Sequence, residues 1–500
     1  VRKIDMSSVQ LIVVAVLINL VAVFATQAQD LKTPSKRLFT FLDIPKAAAV
    51  SERSSIAAVR ETPINIDRQA LFAASIKTLD LPLFDGRTYK AKQLTVEGFE
   101  IRSIDDVTWR GKIDEATFTG DVVLTFKKGY VAGLIYSPNA VYEIIAKGEQ
   151  QILVELDQSL FPACAGAIKG EMAVKTDLLG TASDSGDRID VLVLYTAAVK
   201  ASAGGDTQAQ LIAQQAIDAT NTSYINSRIR QRVRLVGAQA TAMVETGSFS
   251  TELSNLRTNV AAATLRNDLK ADLVAMLTNS TASCGIGYLM GAEGGNPNNG
   301  FSVTARTCAV GNLSFAHELG HNMASHHNPE NGGTATYPYG YGHYVNGSYR
   351  TVMSYVDPCP SGCMRVPYFS NPSVIYNGQP TGLDNLRDNA RSINNTADWI
   401  ANYRYSGASI TLGNFNGNQL IPRSINQSLT WTSNNITGNV RIEISRDGGY
   451  SWTTLFDQTP NDNQQTFSFG PRVSKRVRLR VSSLNNPNIS DSSVANLSIR

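Results

Sequence analysis

The chain has 500 residues, of which 42% are apolar and 17% charged, the balance of a folded protein and more chain than one average domain needs. The formal net charge is only +3, so charge points to neither a nucleic-acid partner nor a membrane-surface role.

The N-terminus has the layout of a secretory signal peptide over residues 1–28. Arg2 and Lys3 form a basic start, Leu11 to Phe24 an apolar core, and Thr26-Gln27-Ala28 a small-residue cleavage site. The apolar run is short of the roughly 20 residues a spanning helix needs. The alternative is an uncleaved anchor; no later segment is apolar enough to span. Val1 suggests a non-ATG start in a bacterial gene, and a start at Met6 would remove the basic residues. Export predicts a secreted protein, with periplasm or cell surface as other destinations, and it permits disulfides.

Residues 29–187 carry strand-like runs at Asp121 to Phe126, Tyr130 to Tyr136 and Gln151 to Leu156, separated by turn signals such as Lys127-Lys128-Gly129. They hold no cluster of catalytic residue types. Thr181 to Asp187 is small and polar and reads as an exposed, cleavable linker. A β-rich segment between signal peptide and linker reads as a propeptide.

From residue 188 the pattern changes. Ile189 to Tyr195 is the nearly continuous apolar run of a strand buried on both faces. Asp206 is placed to cap a helix running to Asn226. A strand at Val233 to Val236, a helix over Thr251 to Lys270 and a strand at Ala271 to Leu277 follow. This alternation predicts a mixed α/β sheet with helices packed on it.

Four of the five histidines lie in His317-Glu318-Leu319-Gly320-His321-Asn322-Met323-Ala324-Ser325-His326-His327. In a helix, His317 and His321 project from one face and can hold one Zn²⁺, with Glu318 beside them as a proton acceptor. Phe315, Leu319 and Met323 form the opposite, apolar stripe. Three protein ligands leave one tetrahedral position open for water, as a catalytic site requires. His327 is the expected third ligand and His326 its competitor. His343, alone in an aromatic Gly-rich loop, reads as a surface or packing residue.

This pattern resembles the metzincin clan of zinc endopeptidases, H-E-x-x-H-x-x-G-x-x-H followed by a Met-turn. His317, His321 and His327 match the ligands, Glu318 the general base, and Thr351-Val352-Met353-Ser354-Tyr355 the Met-turn. Ala324 replaces the turn glycine, and Asn328 stands where the reprolysin branch often has Asp. The element order is similar to that of reprolysin-like bacterial members over residues 188–405. The resemblance implies that Met353 floors the ligands and that Cys284 to Gly291 is the substrate-binding sheet edge. It also implies that Val366 to Pro372 walls the primed-side pocket and that Tyr355 assists the oxyanion. Cys164 resembles the cysteine switch of latent reprolysins and matrix metalloproteases, its thiolate taking the open zinc position; a buried free thiol is the alternative.

The other four cysteines, Cys284, Cys308, Cys359 and Cys363, surround the zinc motif. Pairing as Cys284–Cys308 and Cys359–Cys363 is one of three connectivities that four cysteines allow. A last helix is predicted with Ala390, Ile393, Ala397 and Ile400 on one face. Residues 406–500 lack Cys and His and alternate with period two, as in Val440 to Ile444 and Arg476 to Val481, which predicts an all-β sandwich of immunoglobulin or fibronectin type. Its arginine stripe reads as a solvated strand face, and the domain as one that binds a surface or substrate.

The expected function is that of a secreted, latent zinc endopeptidase acting on proteins or peptides. The rivals are a secreted adhesin with a structural zinc site and a zinc hydrolase of non-peptide bonds. No calcium-loop signature occurs, so Ca²⁺ has no assigned residues.

Overall fold

The computed structural model describes residues 35–42, 53–72, 76–170, 184, 186–449, 451–486 and 489–500. The signal-peptide features and most of the Thr181 to Asp187 stretch lie outside the described residues.

The N-terminal part is an 11-stranded sheet. Its two ends are formed by Ser35–Arg37 and Phe39–Phe41, with Leu38 alone between them, so the sheet curls into a nearly closed barrel. The three strand-like runs appear as Phe118–Lys127, Tyr130–Tyr136 and Gln150–Leu156. Alternation explains why these runs are so apolar. Val122, Leu124, Ile135 and Leu153 fill the curled interior. Val123, Leu134, Tyr136, Ile152 and Val154 point the other way, into the core of the following part.

That following part is a six-stranded sheet. Its order is Ala167–Lys169, Gly285–Leu289, Phe301–Ala305, Leu273–Thr278, Arg188–Tyr195, Arg232–Ala240. All neighbours run parallel except Gly285–Leu289 against Phe301–Ala305. Three sequence expectations change here. Asp206 is the first helical residue rather than the cap; the cap is Gly205, and the Asp206 carboxylate instead accepts from Tyr195 Oη at 2.9 Å. The helix expected over Thr251 to Lys270 is two, Phe249–Thr258 and Val260–Asp268, because Asn259 turns extended and its side chain caps the second. The strand at Gly285–Leu289 is not a sheet edge: Ala167–Lys169 covers it.

The N-terminal part is seated on the helix Asp206–Asn226. Asp218 of that helix is fully buried and accepts hydrogen bonds from Thr108, Thr125 and Arg102. Lys112 reaches Asn226 Oδ1 at 2.9 Å and the Tyr368 hydroxyl at 3.2 Å.

Residues 409–499 form two sheets, one of three strands and one of six, around a shared core that includes Leu412, Leu429, Trp431, Ile442, Leu479 and Leu497. The arginine stripe is not a fully solvated face. Arg478 is buried and bonds Asn496 and the Ser493 carbonyl, and Arg480 pairs with Glu443 at 2.8 Å while lying over Trp452. Among the described residues no helix is long and apolar enough to cross a membrane.

Candidate metal centre

The helix Ser314–Asn322 carries the H-E-x-x-H segment and is buried along its whole length. Phe315 and Leu319 enter the core, as the apolar stripe predicts. Gly320 faces Met353: a Cβ there would lie 2.6 Å from the Met353 sulfur, so the residue must be small for the Met-turn to pack beneath the helix. The helix ends in a Schellman turn. Ala324 N–H donates to His321 O and Ser325 N–H to Gly320 O, with Ala324 left-handed at φ 60°. The turn reverses the chain and returns His327 to the helix.

Nitrogens of His317, His321 and His327 and the Cys164 sulfur all lie within 4.8 Å of one another, the only such ligand cluster among the described residues. His317 Nε2 and His327 Nε2 are 3.1 Å apart. Two nitrogens on one tetrahedral zinc stand about 3.3 Å apart, given Zn–N bonds of about 2.0–2.1 Å. Ring orientation suits ligation. His317 Nδ1 is 2.9 Å from Val352 O and His321 Nδ1 is 2.9 Å from Ser325 O, so each ring donates through Nδ1 and turns the Nε2 lone pair inward. His321 Nε2 is buried with no hydrogen-bond partner. A buried acceptor left unpaired costs about 1–3 kcal/mol unless something binds it. Burial, and then mutual charge, hold His317 and His327 well below the usual imidazole value; burial brings His321 down to about 3. All three are therefore neutral, the form a metal needs. The donor set fits zinc.

His326 is turned elsewhere, with Nδ1 accepting from His327 N–H at 2.8 Å. His343 is 7% exposed and packs in the loop. Cysteines pair as Cys284–Cys308 and Cys359–Cys363, leaving Cys164 free.

Glu318 is fully buried, and burial pushes its carboxyl up to about 8. Cys164 Sγ donates to Glu318 Oε1 at 3.0 Å and to Gly285 O at 3.1 Å. A Cβ on Gly285 would sit 2.5 Å from Glu318 Oε1, so this glycine makes room for the carboxylate. Tyr355 lies tilted against His327 with centroids 4.2 Å apart and donates to Cys164 O at 3.3 Å.

Several contributors escaped sequence reasoning. Ala165 N–H donates to Gly285 O and Cys284 N–H to Ala163 O, which together with Ala167–Lys169 lay the Cys164 segment along the sheet in parallel. A three-residue strand is too short for periodicity to reveal. Gln158 bonds the backbone of Arg365 in both directions, and Arg365 itself reaches Ser354 O and Asn312 O. Neither residue belongs to a motif.

A family model described as metallo-peptidase family M12 matches residues 185–370. A peptidyl-Asp metalloendopeptidase of Stenotrophomonas maltophilia strain R551-3 is 33% identical over 300 residues, covering 57% of this chain and 70% of that one. One from Xanthomonas campestris pv. campestris is 30% identical over 389 residues, 72% of this chain and 91% of that one. One from S. maltophilia strain K279a is 32% identical over 292 residues, 55% of this chain and 68% of that one. The protein is thus a metalloendopeptidase of metzincin-like type, a class that carries a catalytic zinc and takes protein or peptide substrates. The chain belongs to the M12 family with these relatives. That sets aside the adhesin and non-peptide alternatives.

Proposed function

We propose that the chain is the latent precursor of a secreted zinc endopeptidase that cleaves peptides at aspartyl residues. The observation that carries latency is the Cys164 sulfur standing among the three imidazoles and bonded to Glu318. The aspartyl preference follows the name shared by the relatives. In this reading residues 1–28 direct export, 29–187 form the inhibitory propeptide, 188–405 the catalytic domain and 406–500 an accessory sandwich.

His317, His321 and His327 would hold the zinc, and the Cys164 sulfur beside them would keep water from it until the propeptide leaves. When bound, the zinc supplies a Lewis acid that polarises the scissile carbonyl and acidifies water. Glu318 takes a proton from the attacking water onto its carboxylate and passes it to the leaving amine. The Tyr355 hydroxyl, which donates to Cys164 O, would be free to donate to the oxyanion once that segment leaves. Gly285–Leu289, once Ala167–Lys169 is gone, offers its free backbone to an extended substrate.

Two variants of the full chain test this. Glu318→Gln is expected to retain one zinc by elemental analysis and to lose casein cleavage by about 10²–10⁴-fold. Cys164→Ala is expected to cleave casein before any N-terminal processing. A Cys164→Ala chain as silent as the unprocessed wild type would refute the thiol's part in latency and assign the block to the Ala167–Lys169 cover, and a fully active Glu318→Gln chain would refute the role of the base.

A further inference from the structure

Two arginines next to the metal centre make no ion pair among the described residues, although Asp357 acts on one and Glu318 on the other from a distance. Arg350 and Arg365 face each other in register across the parallel pair Tyr349–Arg350 and Met364–Arg365. They are 4% and 5% exposed. Both guanidinium groups converge on one carbonyl, Ser354 O: Arg350 Nη1 at 2.9 Å and Arg365 Nη2 at 3.1 Å. Ser354 lies between Met353 and Tyr355, so both guanidinium groups are tied to the backbone of the Met353 to Tyr355 segment. Neither has an ion-pair partner among the described residues, and the Nε of each is buried without any hydrogen bond. Like charges directly opposite each other are destabilising, and a buried cation without a counter-ion is strongly disfavoured. Burial and the neighbouring Arg365 hold Arg350 well below the usual arginine value, and burial brings Arg365 down to about 10. A single structural clamp on Ser354 O would need one arginine, not two.

The groups that cover this place belong to the N-terminal part. Gln158 accepts from Arg365 N–H at 2.7 Å and donates to Gly311 O at 3.0 Å. Tyr136 is close enough for its charge state to be felt by both guanidinium groups, and its hydroxyl is itself buried and unpartnered. These covers are neutral, and departure of the N-terminal part removes them. Arg365 is also the cation whose field reaches Glu318, His317, His327 and Tyr355.

We propose that Arg350 and Arg365 form the specificity subsite of the mature enzyme, receiving the side-chain carboxylate of the substrate's aspartyl residue as their missing counter-ion. This rests on the aspartyl reading above and names the residues behind it. Planar guanidinium groups suit a short carboxylate, which they bind through paired N–H donors. A neutral isostere of the same size leaves both cations unpaired, and a site built for a polar group rejects such an analogue strongly.

The test compares kcat/KM for two peptides that differ only in Asp against Asn, using the full chain after activation by limited proteolysis. Their ratio within one preparation does not depend on how much enzyme is folded. The wild type is expected to prefer Asp by about 100-fold or more. Arg365→Gln and Arg350→Gln are each expected to cut the ratio at least ten-fold, and Arg365→Lys to keep part of it. Equal losses on both peptides in the two Gln variants would overturn the subsite and leave only a structural clamp. If one Gln variant does not fold, the ratio measured for the other and for Arg365→Lys decides the question. A wild type indifferent to Asp would defeat the aspartyl reading itself, before any variant is compared.

Discussion

Glu318, Cys164 and Tyr355 make one connected group, and their chemistry depends on contacts no single residue type reveals. The thiol donates to the carboxylate, while the tyrosine holds the thiol's own carbonyl. Removing the Cys164 segment frees both Glu318 and the Tyr355 hydroxyl at once. Tyr355→Phe in the activated enzyme is therefore expected to lower kcat by about ten-fold and leave KM nearly unchanged, since a donor to the oxyanion acts only in the transition state. A rise in KM at constant kcat would instead place Tyr355 in ground-state binding. The clustering of His317, His321 and His327 beside Glu318 was legible in sequence, because spacing on a helix fixes which side chains share a face. Arg350 and Arg365 were not, because their meaning lies in what is missing around them.

At the scale of the element, the helix Ser314–Asn322 and its terminal turn set the ligand geometry. Ala324 sits left-handed where glycine is unstrained, and the turn forms regardless because two backbone bonds and burial hold it. Ala324→Gly is expected to stabilise the chain by about 0.5–1 kcal/mol, read as a higher urea midpoint. An unchanged midpoint would mean that the buried Ala324 methyl packs well enough to offset its strain. The short strand Ala167–Lys169 shows the opposite limit. Its three residues have no informative pattern, and only pairing with Gly285–Leu289 makes them a strand. The same holds for the break at Asn259, where local capping overrides helical periodicity.

At the scale of the molecule, acidic groups gather where the C-terminal sandwich meets the catalytic part. Asp491 accepts from Leu412 N–H and Ser492 N–H, and Ser492 Oγ donates to Asp187 at 2.8 Å. Burial pushes the Asp491 carboxyl up to about 7, and the neighbouring Asp187 and Asp398 raise it further against those hydrogen bonds. The folded chain thus binds this proton more tightly than the unfolded chain. Its contribution to stability is full below the ordinary Asp value of about 3.9 and is lost as pH rises through about 7. The urea midpoint is expected to fall between pH 5 and pH 8, and Asp491→Asn to flatten that slope. A wild-type midpoint that rises over this interval would show that other groups dominate. The Asp184 carboxylate likewise accepts from Ser406 N–H and Oγ.

The sequence by itself determined the reaction class and which histidines to expect together, because H-E-x-x-H, the later His327 and Met353 are local patterns whose geometry follows from helix pitch and chain reversal. It also indicated where strands run, since alternation and apolar runs record burial on one face or two. Only the tertiary structure decided that Cys164 reaches the histidines and that Ala167–Lys169 covers the sheet edge. It alone decided that Asp218 anchors the N-terminal part and that two arginines share one carbonyl. Each of these joins residues far apart in the chain, and such contacts are fixed by packing and buried charge rather than by any period in the sequence.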